Sequence, residues 1–243
     1  MLPSTPSPKW RNRLPKHLRN CLLGLITFGL LWQATPAAAG NVWFKVAGGI
    51  SGLAMDDIND GDFRFYDDTE SGYNLPELTN GFSLSFHMGS KINRDWAMGF
   101  SWDIQHAHTS GTDVDVKADL KLDANIFMGH FYWTPLQGKK MSAGLAAGMG
   151  FVAAGGTVDI TRGSTNFGEG KSSGTSLAFE LMSVFEYALG KNKGLQLTAG
   201  WRDATVDKVK FEGRTATNED GSDLKLDYSG YTLKLGVIWR FGE

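Results

Sequence analysis

The stretch Tyr231-Thr-Leu-Lys-Leu-Gly-Val-Ile-Trp-Arg-Phe241 alternates almost without a break. Tyr231, Leu233, Leu235, Val237, Trp239 and Phe241 share one face, and Thr232, Lys234, Gly236, Ile238 and Arg240 share the other. A period of two is the signature of a strand whose faces meet different surroundings. The pattern recurs: Phe82, Leu84, Phe86 and Met88 alternate with Ser83, Ser85, His87 and Gly89, and Trp96, Met98, Phe100, Trp102 and Ile104 with Ala97, Gly99, Ser101, Asp103 and Gln105. Eight such segments are predicted, at Val42–Met55, Gly81–Ser90, Trp96–His108, Leu120–Trp133, Met141–Asp159, Thr175–Leu189, Leu195–Phe211 and Leu224–Phe241. Their connections are by turns long and short, as an up-and-down antiparallel barrel requires when its two rims differ.

The N-terminus reads differently. Lys9, Arg11, Arg13, Lys16 and Arg19 precede an apolar run, Cys21–Trp32, and a small-residue end, Pro36-Ala-Ala-Ala39. This is the anatomy of a secretory signal peptide over residues 1–39. Residues 40–243 then form one domain. Removing the five basic residues of the leader leaves 19 Lys and Arg against 26 Asp and Glu, a net charge of −7. That balance argues against nucleic acid as a partner. The single cysteine, Cys21, lies in the leader, so an exported chain would hold together without a disulfide.

Residues 40–243 contain no run of 18 apolar residues. A membrane-spanning version of this chain would therefore have to be a closed barrel. A soluble barrel with its apolar face inward has the same alternation. Three features favour the membrane. Met141–Val158 carries no charge on either face. The polar faces are dominated by small residues, as a narrow lumen needs. Aromatics sit near segment ends: Trp43, Phe44, Trp96, Tyr132, Trp133, Tyr187, Tyr231, Trp239 and Phe241. Trp96, Trp133, Tyr187, Trp239 and Phe241 are expected at headgroup depth.

This combination resembles the small bacterial outer-membrane β-barrel family that includes OmpX, OmpW and the OmpA membrane domain. The resemblance implies an all-β, eight-stranded transmembrane barrel in the bacterial outer membrane. It also implies contact with outer-membrane lipid and lipopolysaccharide, and a closing strand read by the barrel assembly machinery. Gly242 and Glu243 follow Phe241, where such proteins commonly end on the aromatic itself.

The expected inward face carries Lys45, Asp103, Lys121, Asp123, Glu180, Glu186, Arg202, Lys234 and Arg240. Eight strands leave an interior that side chains can fill. These charges are expected to pair into a polar plug, with Glu180 and Glu186 meeting Arg202, Lys234 or Arg240. The alternative is a narrow channel, which the OmpW resemblance implies for small hydrophobic molecules. His106, His108 and Ser110 share the opposite face of the third segment. The His108-x-Ser110 pair resembles part of the site of the lipid A deacylase PagL. That resemblance implies His108 as base and Ser110 as nucleophile, but Gly111 stands where that family has Asn. His106 and His108 lack further metal ligands, because His130 falls opposite about residue 99. His87 is read as a lone inward hydrogen-bonder.

Residues 56–80 are rich in Asp and Glu and contain Phe63, Phe65, Tyr66 and Tyr73. They are a candidate surface for an extracellular partner. The calcium-loop spacing fails there. Walker, dinucleotide, zinc and G-x-S-x-G signatures are absent from the sequence, so no cofactor is expected. The reading is a non-catalytic envelope protein acting through its loops. Channel, lipid A hydrolase and soluble periplasmic binder are the alternatives.

Overall fold

The computed structural model describes residues 42–59, 76–113, 116–162, 165–211, 213–218 and 220–242. The leader, residues 60–75 of the acidic loop, and Phe63, Phe65, Tyr66 and Tyr73 lie outside them. The described elements are β1 (Val42–Gly52), α1 (Asp56–Asn59), β2 (Asn80–Lys91), β3 (Trp96–Asp113), β4 (Val116–Gln137), β5 (Met141–Arg162), β6 (Thr165–Ala188), β7 (Lys193–Asp203), four two-residue strands β8 (Thr205–Val206), β9 (Lys210–Phe211), β10 (Arg214–Thr215) and β11 (Leu226–Asp227), and β12 (Gly230–Phe241).

β1 to β7 and β12 form a closed antiparallel barrel of eight strands. Closure comes from β12, which pairs with β7 on one side and with β1 on the other, from Val42↔Phe241 to Ser51↔Thr232. No helix among the described residues is long and apolar enough to cross a membrane. The barrel wall carries that role. Phe82, Met149, Leu177, Leu181 and Trp201 each leave 60% or more of their surface exposed on its outside. An apolar band of this extent is unsuited to water and suited to lipid. In β3 the band runs from Trp96 to Ile104, nine residues, about the length a tilted strand needs to cross a bilayer. The inside of the same region is polar: Lys45, Ser85, His87, Ser101, Asp103, Glu180, Gln196, Arg202 and Lys234 are all buried. This overturns the soluble alternative, in which the apolar face would line the cavity.

β3 to β6 run well beyond the band. The predicted loops at Thr109–Asp119 and Ile160–Gly174 are in large part strand, with pairing that continues to Asp113↔Val116 and Arg162↔Thr165. In this extension the faces exchange character. His106, His108, Ser110, Lys121 and Asp123 point outward, while Ala107, Ala118, Leu120, Leu122, Ala124, Val152 and Ala154 are buried inside. Beyond the lipid the outside is water, so the ordinary soluble arrangement returns.

The inner apolar face is covered by the chain itself. The seventh and eighth predicted segments are not continuous strands. The barrel wall stops at Asp203 and resumes at Gly230; between them β9 pairs with β6 at Ser172↔Phe211 and Ser173↔Lys210, while apolar residues on either side of it turn inward. Ala204, Val206, Val209, Leu224, Leu226 and Tyr228 pack against Leu120, Leu122, Ile126, Met128 and Val152. Leu53, Met55, Ile58 and Leu78 join them from the end of β1 and the approach to β2. The hydrophobicity read as strand is there, but it is spent on a plug. Gly230, at φ 147°, makes the turn back into the wall, where a side chain would press on the backbone of Gly52.

Leu226→Asp should place a carboxylate in this apolar layer at a cost of about 3 kcal/mol. Limited proteolysis is expected to cut within residues 204–229 of the variant, while the barrel still shows a heat-dependent shift in gel mobility. Uncut variant chain would contradict the packing role.

Candidate functional site

Parity along each strand decides which charges reach the lumen. Lys45, Asp103, Glu180, Arg202 and Lys234 do, and all are buried. Glu180 and Arg202 sit opposite each other across β6 and β7, and Arg202 Nη2 donates to Glu180 Oε1 at 2.9 Å. The same guanidinium reaches across the lumen to Asp103 on β3. Lys234 Nζ donates to Asp103 Oδ2 from β12, rather than to the expected Glu180 or Glu186. Lys45 Nζ donates to Gln196 Oε1 at 2.8 Å. Glu186 and Arg240 pair near the short-turn rim and are only slightly open to solvent. The predicted Glu–Arg pairs therefore form, and Asp103 is the hub that joins β3, β7 and β12.

Two predicted members are not in the lumen. Asp123 and Lys121 lie on the outward face of β4, with most of the Asp123 side chain exposed. The signal was in the strand: Phe127, Phe131 and Trp133 share their parity and face lipid. Charges are tolerated on that face because β4 has already left the apolar band. The opposite parity brings His130 and Tyr132 inside. His130 Nε2 lies 3.2 Å from Glu180 Oε2, and His87 Nδ1 lies 3.3 Å from the Tyr132 hydroxyl. His87 is thus not alone, since its ring also stands 5.8 Å from that of His130. Gly148 makes room for the His130 ring, because a Cβ there would collide with it.

Of the aromatics, Trp96 and Trp133 are stacked neighbours on the outside, their centroids 6.2 Å apart. Phe44 and Trp239 stack likewise at 6.1 Å, and Tyr187 and Phe241 are exposed at the same rim. Trp43 and Tyr132 are exceptions to the expected girdle. They point inward, meet edge-to-face at 5.4 Å, and close the lumen below the charges together with Met182, Val184 and Ile238. Gly89 and Gly99 are the flat ground under the Trp43 indole, since a Cβ at Gly89 would overlap it.

The outward histidines are each matched to a carboxylate on β4. His106 Nδ1 lies 2.6 Å from Asp123 Oδ1, and His108 Nε2 lies 3.3 Å from Asp119 Oδ2. The contact with His108, aided by Lys121, holds the Asp119 carboxyl below its usual range. Ser110 faces Asp119 across the ladder, and among the described residues it makes no hydrogen bond to His108. No group of three or more metal-ligating side chains comes together among the described residues.

No family model matches this sequence, and neither does any curated protein. Solved structures do match. The outer membrane protein OprG from Pseudomonas aeruginosa is 16% identical, with a TM-score of 0.50, over 85% of this chain and 98% of that one. A major outer membrane protein from Thermus thermophilus is 12% identical, with a TM-score of 0.47, over 82% and 99%. Ail, the attachment invasion locus protein of Yersinia pestis, is 16% identical, with a TM-score of 0.42, over 83% and 99%. The likeness to OprG is one of fold: this chain has the eight-stranded barrel of the small outer-membrane proteins.

Arg202→Ala should leave Asp103 and Glu180 short of a partner at a cost of about 3–5 kcal/mol, read as a lower urea midpoint in detergent. Glu180→Gln should cost less, because the amide can still accept from Arg202. At the outer row, His108→Ala is expected to raise the Asp119 pKa towards that of a free carboxyl, followed by carboxyl carbon NMR. A lowered carboxyl pKa stabilises the fold at pH above its unfolded-state value. That contribution is lost as pH falls through the folded-state value, so acidification should remove what the Asp119 carboxylate adds to stability.

Proposed function

We propose that this chain is an integral protein of the bacterial outer membrane, exported by its N-terminal leader, whose role is structural or surface-interactive and not catalytic. The observation that carries this reading is the filled lumen. From the short-turn rim outward, a Trp43–Tyr132 layer, the Asp103–Arg202–Glu180–Lys234 network and the apolar layer around Leu122 and Leu226 follow one another. Each is buried, and together they oppose a narrow channel. What the barrel offers to other molecules is then its outside: the lipid-facing band, and the extension of β3 to β6, which would meet lipopolysaccharide and extracellular partners.

The non-catalytic reading draws on the row at His106, His108 and Ser110. His108 Nε2 is engaged by Asp119, and Ser110 lacks the contact that would make it a nucleophile. The row suits polar headgroups at the outer edge of the apolar band.

Planar-bilayer recordings should show no steady conductance from the wild-type barrel. Glu180→Ala and Lys234→Ala, which loosen the network, should add little while the layers on either side remain. Stable wild-type conductance would replace this reading with the channel. Lipid A mass spectra should be identical with and without the protein and with Ser110→Ala. A Ser110-dependent loss of an acyl chain would replace it with the hydrolase.

A further inference from the structure

Two hollows meet at the short-turn rim. One, of about 320 Å³, is a vestibule in the mouth of the barrel beneath Trp43 and Tyr132. The other, of about 550 Å³, is an apolar groove on the outer wall, formed by Leu136, Met141, Ala143, Phe185, Tyr187 and Leu195 among others. They share Gln137, Gly138, Met141, Ser142 and Glu186, so the turn between β4 and β5 is the lip of both. The wall is irregular there: the β4–β5 register shifts between Trp133 and Leu136, next to Pro135.

The two hollows differ in chemistry. The groove is lined almost wholly by carbon. Among the described residues the vestibule is cationic: Lys91, Arg94, Lys139, Lys140, Lys191 and Arg240 line it against Asp95 and Glu186. Arg240 is matched to Glu186, and Arg94 stands 4.0 Å from Asp95. Of the other four, Lys139, Lys140 and Lys191 are exposed on turns. Their charge is notable in a domain whose net charge is −7, because it gathers basic side chains at one rim.

From this juxtaposition we propose that the short-turn rim is a binding site for an anionic glycerophospholipid of the adjoining leaflet. An acyl chain lies in the Leu136–Tyr187–Leu195 groove, and the phosphate crosses the lip to Lys139, Lys140 and Lys191. The inference rests on the outer-membrane reading, which puts this rim at the periplasmic leaflet. A phosphate is the charge that clustered lysines at a membrane surface attract. The groove selects an amphiphile over a free anion, since an anion alone gains nothing from carbon walls. A zwitterionic lipid would fill the groove but bring no net charge to the lysines.

The full chain would be folded into nanodiscs of phosphatidylcholine with a minority of phosphatidylglycerol. After release into detergent, retained lipid would be identified by native mass spectrometry. Phosphatidylglycerol should be enriched roughly tenfold over its share of the bilayer. Lys139→Ala/Lys140→Ala/Lys191→Ala should abolish the enrichment, and high salt should weaken it in the wild type. Ala143→Phe, which fills the groove, should lower lipid retention while leaving any binding of glycerol 3-phosphate unchanged. Equal retention of the two lipids, or enrichment indifferent to the lysines, would overturn the proposal. Binding of glycerol 3-phosphate without lipid enrichment would also overturn it, and would assign the lysines to a free phosphate compound. The heat-dependent gel shift, read before lipid is added, separates these outcomes from failure of the barrel reading itself and from variants that do not fold.

Discussion

The hydrogen-bonded seam between β1 and β12 is the condition for everything else in this molecule. In hydrocarbon an unpaired backbone amide costs several kcal/mol, and a sheet with open edges would leave two rows of them. The seam from Val42↔Phe241 to Ser51↔Thr232 removes both edges at once. It also sets the circumference, and eight strands enclose a space that side chains can fill completely. The lumen's contents follow from this. With no room for bulk water, each inward charge must find a partner of opposite sign or a hydrogen-bonding group within the ring.

That requirement shapes the network around Asp103. Arg202 is wholly buried, and its guanidinium bridges Asp103 and Glu180, residues 99 and 22 positions away in the chain. A planar donor fork can serve two carboxylates at once, which a lysine does less well. Lys234 adds a third strand to the same hub. Such a buried network gives a weak net gain in stability over an apolar filling, but removing one member is costly. Its effect is to tie opposite walls of the barrel together at mid-depth.

Solvent sets the other pattern. Along β3 and β4 the outward face changes from Trp96, Phe100, Phe127 and Trp133 to His106, His108, Asp119 and Asp123. The inward face changes from Asp103 and His130 to Ala107, Leu120 and Leu122. The strands themselves continue without interruption through this exchange. Nothing in the backbone marks the boundary. It lies where lipid gives way to water outside, and where Val206, Val209, Leu224, Leu226 and Tyr228, with Leu53, Met55 and Ile58, replace the polar filling inside.

The alternation of Tyr231–Phe241 and its counterparts determined strands, two unlike faces, and a barrel as the only membrane-spanning form open to the chain. The long and short connections determined the up-and-down order. The pairing of Glu180 with Arg202 was legible because neighbouring strands place them side by side, whereas Glu186 meets Arg240 across the intervening β7, past Gly194. The inward phase of His130 was legible too, through the parity of Phe127, Phe131 and Trp133, although the charges of Lys121 and Asp123 pointed the other way. Only the tertiary structure decided that Lys234 crosses to Asp103, that Trp43 and Tyr132 turn inward, and that Val206, Leu224 and Leu226 leave the wall to form a plug. The physical reason is common to these cases. An apolar or charged residue has the same identity whether its surroundings are lipid, water or another part of the chain. Which of these it meets depends on contacts between residues far apart in sequence, and those exist only once the ring has closed.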